Sequence, residues 1–198
     1  MFDLKNLQQY KIILASKSPR RYNLIKQMGF EIETKEIEID ETYPSDIDIN
    51  SAAEYLALKK AQAVDQLPLG EKEILITSDT MVILQGKEIT KPTNKEEAIT
   101  YLRALSNKEH NVITGCCLQT KHKRISFNVC TRVFFKNLTM EEITYYINNY
   151  KPYDKAGAYA IQEWIGLIAI ERIEGCFYNV MGLPTSALYE NLKQIIKD

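Results

Sequence analysis

Residues 11–29 read KIILASKSPRRYNLIKQMG, and the reading of this stretch decides the class of fold. KIILA (11–15) is a short apolar run suited to a buried strand. Ser18 and Pro19 then have the character of an N-cap and a first helical residue, and Gly29 that of a C-terminal stop, giving a helix over about 19–28. A strand that passes through small polar residues into a helix presents unpaired backbone N–H groups and the positive end of the helix dipole. Arg20 and Arg21 add planar donors that match phosphate oxygens, although positive charge at a helix N-terminus opposes the dipole unless an anion offsets it. Two readings follow: an anion cradle, or a solvated loop whose arginines pair with surface carboxylates.

Outward from this unit, strands and helices alternate. EIETKEIEID (31–40) alternates polar and apolar residues like a strand with one wet face, and Ser51–Glu54 has the pattern of a capping box for a helix through about Gln66. A turn at 68–70 leads to EILIT (73–77), and MVILQGKEIT (81–90) reads as a strand turning through Gln85-Gly86. Thr93–Glu96 is a second capping box, for a helix ending near Ser106. Residues 110–120 and 124–135 form an expected antiparallel hairpin across a polar KHK turn. Thr139–Glu142 is a third capping box, for a helix to about Asn149. DKAGAYAIQEWIG (154–166) is rich in small residues, LIAIERI (167–173) reads as a strand, and a last helix starts near Pro184 and runs to the end. The pattern predicts an α/β fold with a mixed sheet in a single domain spanning residues 1–198.

Composition narrows the function classes. The 198 residues are 45% hydrophobic and 26% charged with net charge −1, which suits an ordinary globular chain and argues against non-specific nucleic-acid binding. No apolar run approaches the ~20 residues that span a bilayer, and the N-terminus lacks a secretion signal, so a cytoplasmic location is expected. The four cysteines lack CxxC or zinc-ligand spacing and read as buried thiols in a reducing compartment. His110 and His122 read as structural or surface residues.

Four further stretches carry candidate chemistry. Asp79, in SDTMVIL, sits between two apolar runs, either capping a turn or serving as metal ligand or general base. Asp40 and Glu41 end an alternating strand. Lys91 precedes Pro92, which stiffens the chain before it. Lys59 and Lys60 lie on the second helix. No GxGxxG or GxxxxGK[ST] motif is present, so neither dinucleotide-binding nor P-loop architecture accounts for the basic loop.

Taken together, ILASKSPRR, DET (40–42), SDT (78–80), KP (91–92) followed by EEA and LRALS, and DKAGAYAIQ (154–162) resemble the Maf family, in order from about Ile13 to Pro184. That family was first named for septum-formation inhibitors and comprises nucleoside triphosphate pyrophosphatases. The resemblance implies a mixed, elongated sheet flanked by helices, two lobes around a nucleotide cleft, a fold shared with inosine triphosphate pyrophosphatases, and frequent homodimers. It implies cleavage between the α- and β-phosphates with a divalent metal cation, Mg2+ or Mn2+. Carried over by residue, Ser16, Arg20 and Arg21 fall on the phosphate-binding loop, and Lys60 on a helix lysine that also contacts substrate. Glu41 and Asp79 are the acidic metal ligands, with Asp79 the proton acceptor. Lys91 completes the catalytic set, and Gln162 closes the motif of the subgroup acting on dTTP and UTP. Its amide would match the edge of uracil or thymine. The chain departs from the pattern at Ser78, where alanine is common, and at Glu163 and Trp164, where glycine usually follows the glutamine. Two other functions fit the same motifs: a non-catalytic nucleotide-sensing regulator of cell division, and a pyrophosphatase for inosine or modified purine nucleotides. No nucleic-acid or membrane partner is expected.

Overall fold

The computed structural model describes residues 4–65 and 68–197. In chain order its elements begin with α1 (Leu4–Leu7), β1 (Lys11–Ala15), α2 (Pro19–Gln27), β2 (Glu31–Lys35), α3 (Ile49–Gln62), β3 (Glu73–Leu84) and β4 (Lys87–Ile89). They continue with α4 (Lys95–Leu105), β5 (Glu109–Gln119), β6 (Arg124–Phe135), α5 (Met140–Tyr150) and a 3-10 turn (Ala156–Ala158). The chain closes with α6 (Trp164–Ala169), β7 (Ile170–Glu174), α7 (Phe177–Val180) and α8 (Thr185–Ile195). The strands hydrogen-bond in the order β2-β1-β3-β5-β6-β7, with β4 on β3, so the expected mixed α/β sheet flanked by helices is present. β1 runs parallel to both β2 and β3, whereas β4 runs antiparallel to β3.

The chain divides into two compact units. The first comprises residues up to 79, 114–129 and from 182 onward; the second comprises 80–113 and 130–181. In the first, Ile13, Ala15, Ala57, Ala61, Leu75 and Cys117 pack into a core between the sheet and α3. In the second, Val82, Leu102, Val133, Phe135, Ile147 and Tyr159 belong to a larger core built on α4, α5 and the sheet.

The strand–loop–helix reading of residues 11–29 holds. Ser18 is the N-cap of α2, Pro19 its first residue, and Gly29 (φ 87°) follows its end. The third capping box holds too: Thr139 and Glu142 each accept from the other's backbone N–H.

Several boundaries differ from the sequence reading. EILIT and MVIL are one unbroken strand, β3, which runs on through Ser78, Asp79 and Thr80 between the stretch paired with β1 (Glu73–Thr77) and the stretch paired with β4 (Val82–Leu84). α3 starts two residues before Ser51, since Asp48 accepts from Asn50 N–H and caps it, leaving the Ser51–Glu54 box unused. α3 closes at Gln62, and Gln66, the expected end, lies outside the described residues. The cap of α4 is Asn94, which accepts from Glu97 N–H, one position later than Thr93–Glu96 suggested. β2 stops at Lys35, halfway along the alternating stretch. Leu167–Ala169 belong to α6, so the strand expected over 167–173 starts at Ile170. Cys116 and Cys117 are buried, whereas Cys130 is exposed.

Candidate active site

β3 is buried along almost its whole length, and the pattern opens only at Asp79 and Thr80 in its middle. β1 ends at Ala15, paired with Thr77, so Asp79 extends two residues past the carboxyl end of β1. Ligands of parallel α/β sheets gather at such carboxyl ends. The loop of residues 16–18 leaves β1 on that side. Ser16 Oγ accepts Ser18 N–H at 3.2 Å, which turns the chain into α2.

Arg21 is the anchor of this loop. Its Nε donates to Gly182 O at 2.9 Å, and its NH1 donates to Ser78 O at 2.8 Å and Ser16 Oγ at 3.2 Å. The guanidinium therefore fixes the loop to the residue preceding Asp79. Burial lowers its pKa from the ordinary value, opposed by the nearby Asp79 carboxylate. Arg20, the other arginine of the motif, is half-buried in the first turn of α2.

Lys60 joins the acidic residues. Its Nζ lies 2.5 Å from Asp79 Oδ1 and 2.7 Å from Glu41 Oε1. The side chains of Lys60 and Asp79 are 13% and 15% exposed, against 50% for Glu41, so the pair sits at the bottom of the site and Glu41 at its rim. Two carboxylates this close repel each other; one ammonium between them offsets the repulsion. Lys60 lies in the last turn of α3, where a cation also complements the helix dipole.

The acidic turn is pre-shaped by its own side chains. Asp40 accepts from Thr42 Oγ1 at 2.6 Å and Thr42 N–H at 3.1 Å, and these bonds hold its carboxyl below the ordinary range. Lys59 donates to Thr42 O at 2.9 Å, so two adjacent lysines of α3 grip the DET segment. α3 is itself held tightly on the sheet. A Cβ on Gly115 of β5 would stand 2.2 Å from Ala53 O, so only glycine permits this approach.

The first unit thus brings together five of the predicted residues: Ser16, Arg21, Glu41, Lys60 and Asp79. Lys91 and Gln162 belong to the second unit. There, Gly157 N–H donates to Thr90 O at 3.1 Å, which ties the DKAG segment to the residue before Lys91. Gln162 is exposed, in the turn that leads into α6 and two residues before its first residue. Gly182 and Cys116 escaped the sequence reading. The glycine at 182, with φ 111°, marked a special backbone site just ahead of α8, but nothing in the sequence linked it to Arg21. Cys116 donates to Ser78 Oγ at 3.7 Å, and burial pushes its thiol up to about 12, so it packs beside the site as a neutral group.

Among the described residues no three His, Cys, Asp or Glu side chains cluster as a metal-binding group. Glu41 and Asp79, gathered on one cation, are the available pair. A hard divalent ion that shares its coordination with phosphate oxygens is bound by one or two carboxylates, so this donor set fits Mg2+ or Mn2+.

A family model described as Maf-like protein matches residues 11–195. Among curated relatives, proteins named dTTP/UTP pyrophosphatase are similar over nearly full length. The one from Parabacteroides distasonis is 50% identical, covering 96% of this chain and 98% of its own. That from Porphyromonas gingivalis is 46% identical, covering 96% of both chains, and that from Phocaeicola vulgatus is 47% identical, covering 97% and 100%. Among solved structures, the Ham1 protein of Staphylococcus aureus superimposes with a TM-score of 0.51 at 16% identity, covering 91% of this chain and 99% of that one, a likeness of fold alone.

Proposed function

This chain belongs to the Maf-like protein family, and on that premise we propose that it hydrolyses dTTP and UTP to the nucleoside monophosphate and pyrophosphate. The observation that carries the reading is the Glu41–Lys60–Asp79 cluster beside the Arg21-anchored loop. A nucleotide sensor needs cations for phosphate but has no use for two carboxylates aimed at them.

In this reading the N–H groups of the 16–18 loop, Arg20 and Lys91 bind and neutralise the triphosphate, while Arg21 keeps the loop in place. Glu41 and Asp79 would hold the divalent cation, which would supply positive charge to offset that of the phosphates. Lys60 fixes the direction of the Asp79 carboxylate. A carboxylate oxygen of Asp79 accepts the proton of a water whose oxygen attacks the α-phosphorus. The bond from that phosphorus to the bridging oxygen breaks, and pyrophosphate leaves. Gln162 pairs with the edge of the pyrimidine base, and a site that hydrogen-bonds one base rejects others by leaving their partners unmatched.

Residues 1–198 would act as one catalytic domain in the cytoplasm, and a homodimer is the assembly that the family resemblance suggests. Among the described residues no helix is long and apolar enough to cross a membrane. The test is to incubate pure protein and Mg2+ with dTTP, UTP, CTP, ATP, ITP and 7-methyl-GTP separately, assaying pyrophosphate and monophosphate, with Asp79→Asn alongside. Release from dTTP and UTP that the variant lacks is the expected result. Activity confined to ITP or 7-methyl-GTP would overturn the base assignment, and nucleotide binding without turnover would overturn the enzymatic one.

A further inference from the structure

Ala160–Glu163 form a turn in which Glu163 N–H donates to Ala160 O at 3.1 Å, with Gln162 as its exposed member. One hydroxyl braces both ends of that turn. Tyr146 Oη accepts Ala160 N–H at 3.3 Å and donates its own proton to Glu163 Oε2. Tyr146 is wholly buried and stacks on Tyr150, with ring centroids 5.1 Å apart, so the hydroxyl is delivered from a rigid support in α5. Burial, reinforced by the bond to Glu163, raises the phenol above its ordinary pKa and keeps it a donor. The other carboxylate oxygen of Glu163 lies 3.4 Å from Lys155 Nζ, which is 8% exposed and also contacts Asp154 at 2.7 Å. Behind the turn, Gly166 N–H donates to Glu163 O at 2.9 Å. A Cβ on Gly166 would stand 1.7 Å from Ile161 O, so α6 is pressed onto the turn.

Glu163 occupies a position where the sequence departs from the family pattern, and it turns inward rather than toward solvent. A side-chain amide carries a donor and an acceptor, so turned over it matches cytosine as well as uracil. Selection between them therefore requires the amide to be held. We infer that Tyr146 and Glu163 are positioning residues that fix the backbone turn presenting Gln162 to the pyrimidine edge, and thereby set the preference for uracil and thymine over cytosine. This rests on the reading of Gln162 as the base-contacting residue.

The test uses the full-length chain, Tyr146→Phe, Glu163→Ala and the conservative Glu163→Gln. Tyr146→Phe is expected to raise KM for UTP and dTTP about tenfold with kcat within about threefold, and to lower the UTP-over-CTP preference about tenfold. Glu163→Ala has the same expectation, and keeps the test alive if Tyr146→Phe does not fold. Glu163→Gln, which retains an acceptor for the phenol, stays within about threefold of the wild type. A readout free of turnover is the fluorescence of Trp164, the chain's single tryptophan, adjacent to Glu163. Titrated with UMP and then CMP without metal, it should give the same loss of preference. Amide exchange at Ala160 reports the brace itself. Loss of that protection with KM and base preference unchanged would overturn the inference, leaving Tyr146 a structural residue. A wild type that neither hydrolyses nor binds any pyrimidine nucleotide would sink the reading of Gln162, and the inference with it, before any variant was compared.

Discussion

Lys60 and Asp79 form the ion pair on which the site is built: 2.5 Å from Nζ to Oδ1, joining the last turn of α3 to the opening in the middle of β3. Both residues are mostly out of water, so each depends on the other.

Removing one partner should therefore cost more than removing both. Lys60→Met leaves Asp79 and Glu41 facing each other and is expected to destabilise the fold by about 3 kcal/mol. Adding Asp79→Asn to it should recover at least about 1 kcal/mol, as residues in contact are not additive. Urea unfolding of the four members of this cycle measures the coupling, and additive losses would refute it.

Asp79→Asn preserves shape and removes the proposed proton acceptor. Hydrolysis of dTTP is expected to fall by about 10²- to 10⁴-fold in kcat. Nucleotide affinity, measured without added metal by calorimetry with a non-hydrolysable analogue, should stay within about threefold. Equal losses in affinity and kcat would mark Asp79 as a binding residue only.

Gly115→Ala tests how α3 is positioned. The new methyl would overlap Ala53 O, so stability should drop by about 3 kcal/mol and activity with it, because α3 carries Lys60. Gly86→Ala is the control, with no atom within 4 Å of the added carbon. It should cost about 1 kcal/mol through its positive φ and leave activity unchanged. Thermal melts of both variants decide.

His110 sets an acid limit on the second unit. Burial pushes its pKa down to about 3, and Nε2 sits 2.7 Å from Tyr159 Oη against Phe135. The unfolded chain binds a proton near pH 6.5, while the folded chain does so only near 3. Stability is thus fully present above pH 6.5 and falls by about 1.4 kcal/mol per pH unit below it. The paired variant His110→Phe with Tyr159→Phe should lose this slope in denaturant titrations between pH 6.5 and 4, and an unchanged slope would exclude His110 as its source.

Thiol reactivity should follow burial. Cys130 is exposed and should react with an aromatic disulfide reagent in the native protein. Cys116 and Cys117, buried and pushed up to about 12 and about 11, should react only when denaturant opens the fold. Mass spectrometry of timed samples gives the order.

Much of this was legible in the chain because it is written locally. The strand–Pro–helix unit at 11–29, the Thr139 capping box, the Gln85-Gly86 hairpin and the order of elements each follow from residues a few positions apart. Caps with several nearby acceptors slipped by one to three positions, as at Asp48 and Asn94, because neighbouring polar side chains compete for the same N–H groups. The break expected at Asp79 is absent: β3 is continuous from Glu73 to Leu84, and pairing with β1 on one side of the triplet and β4 on the other outweighs its weak strand preference. By itself, then, the sequence determined the α/β class, the succession of elements and which side chains could carry charge chemistry. Only the tertiary structure decided that Lys60 clasps Glu41 and Asp79, that Arg21 is spent anchoring the loop to Gly182 and Ser78, and that Glu163 turns inward to Tyr146. Those pairings join residues 17 to 161 positions apart, and no local signal names the partners; for Lys60 and Asp79 burial makes each the other's necessary counterpart.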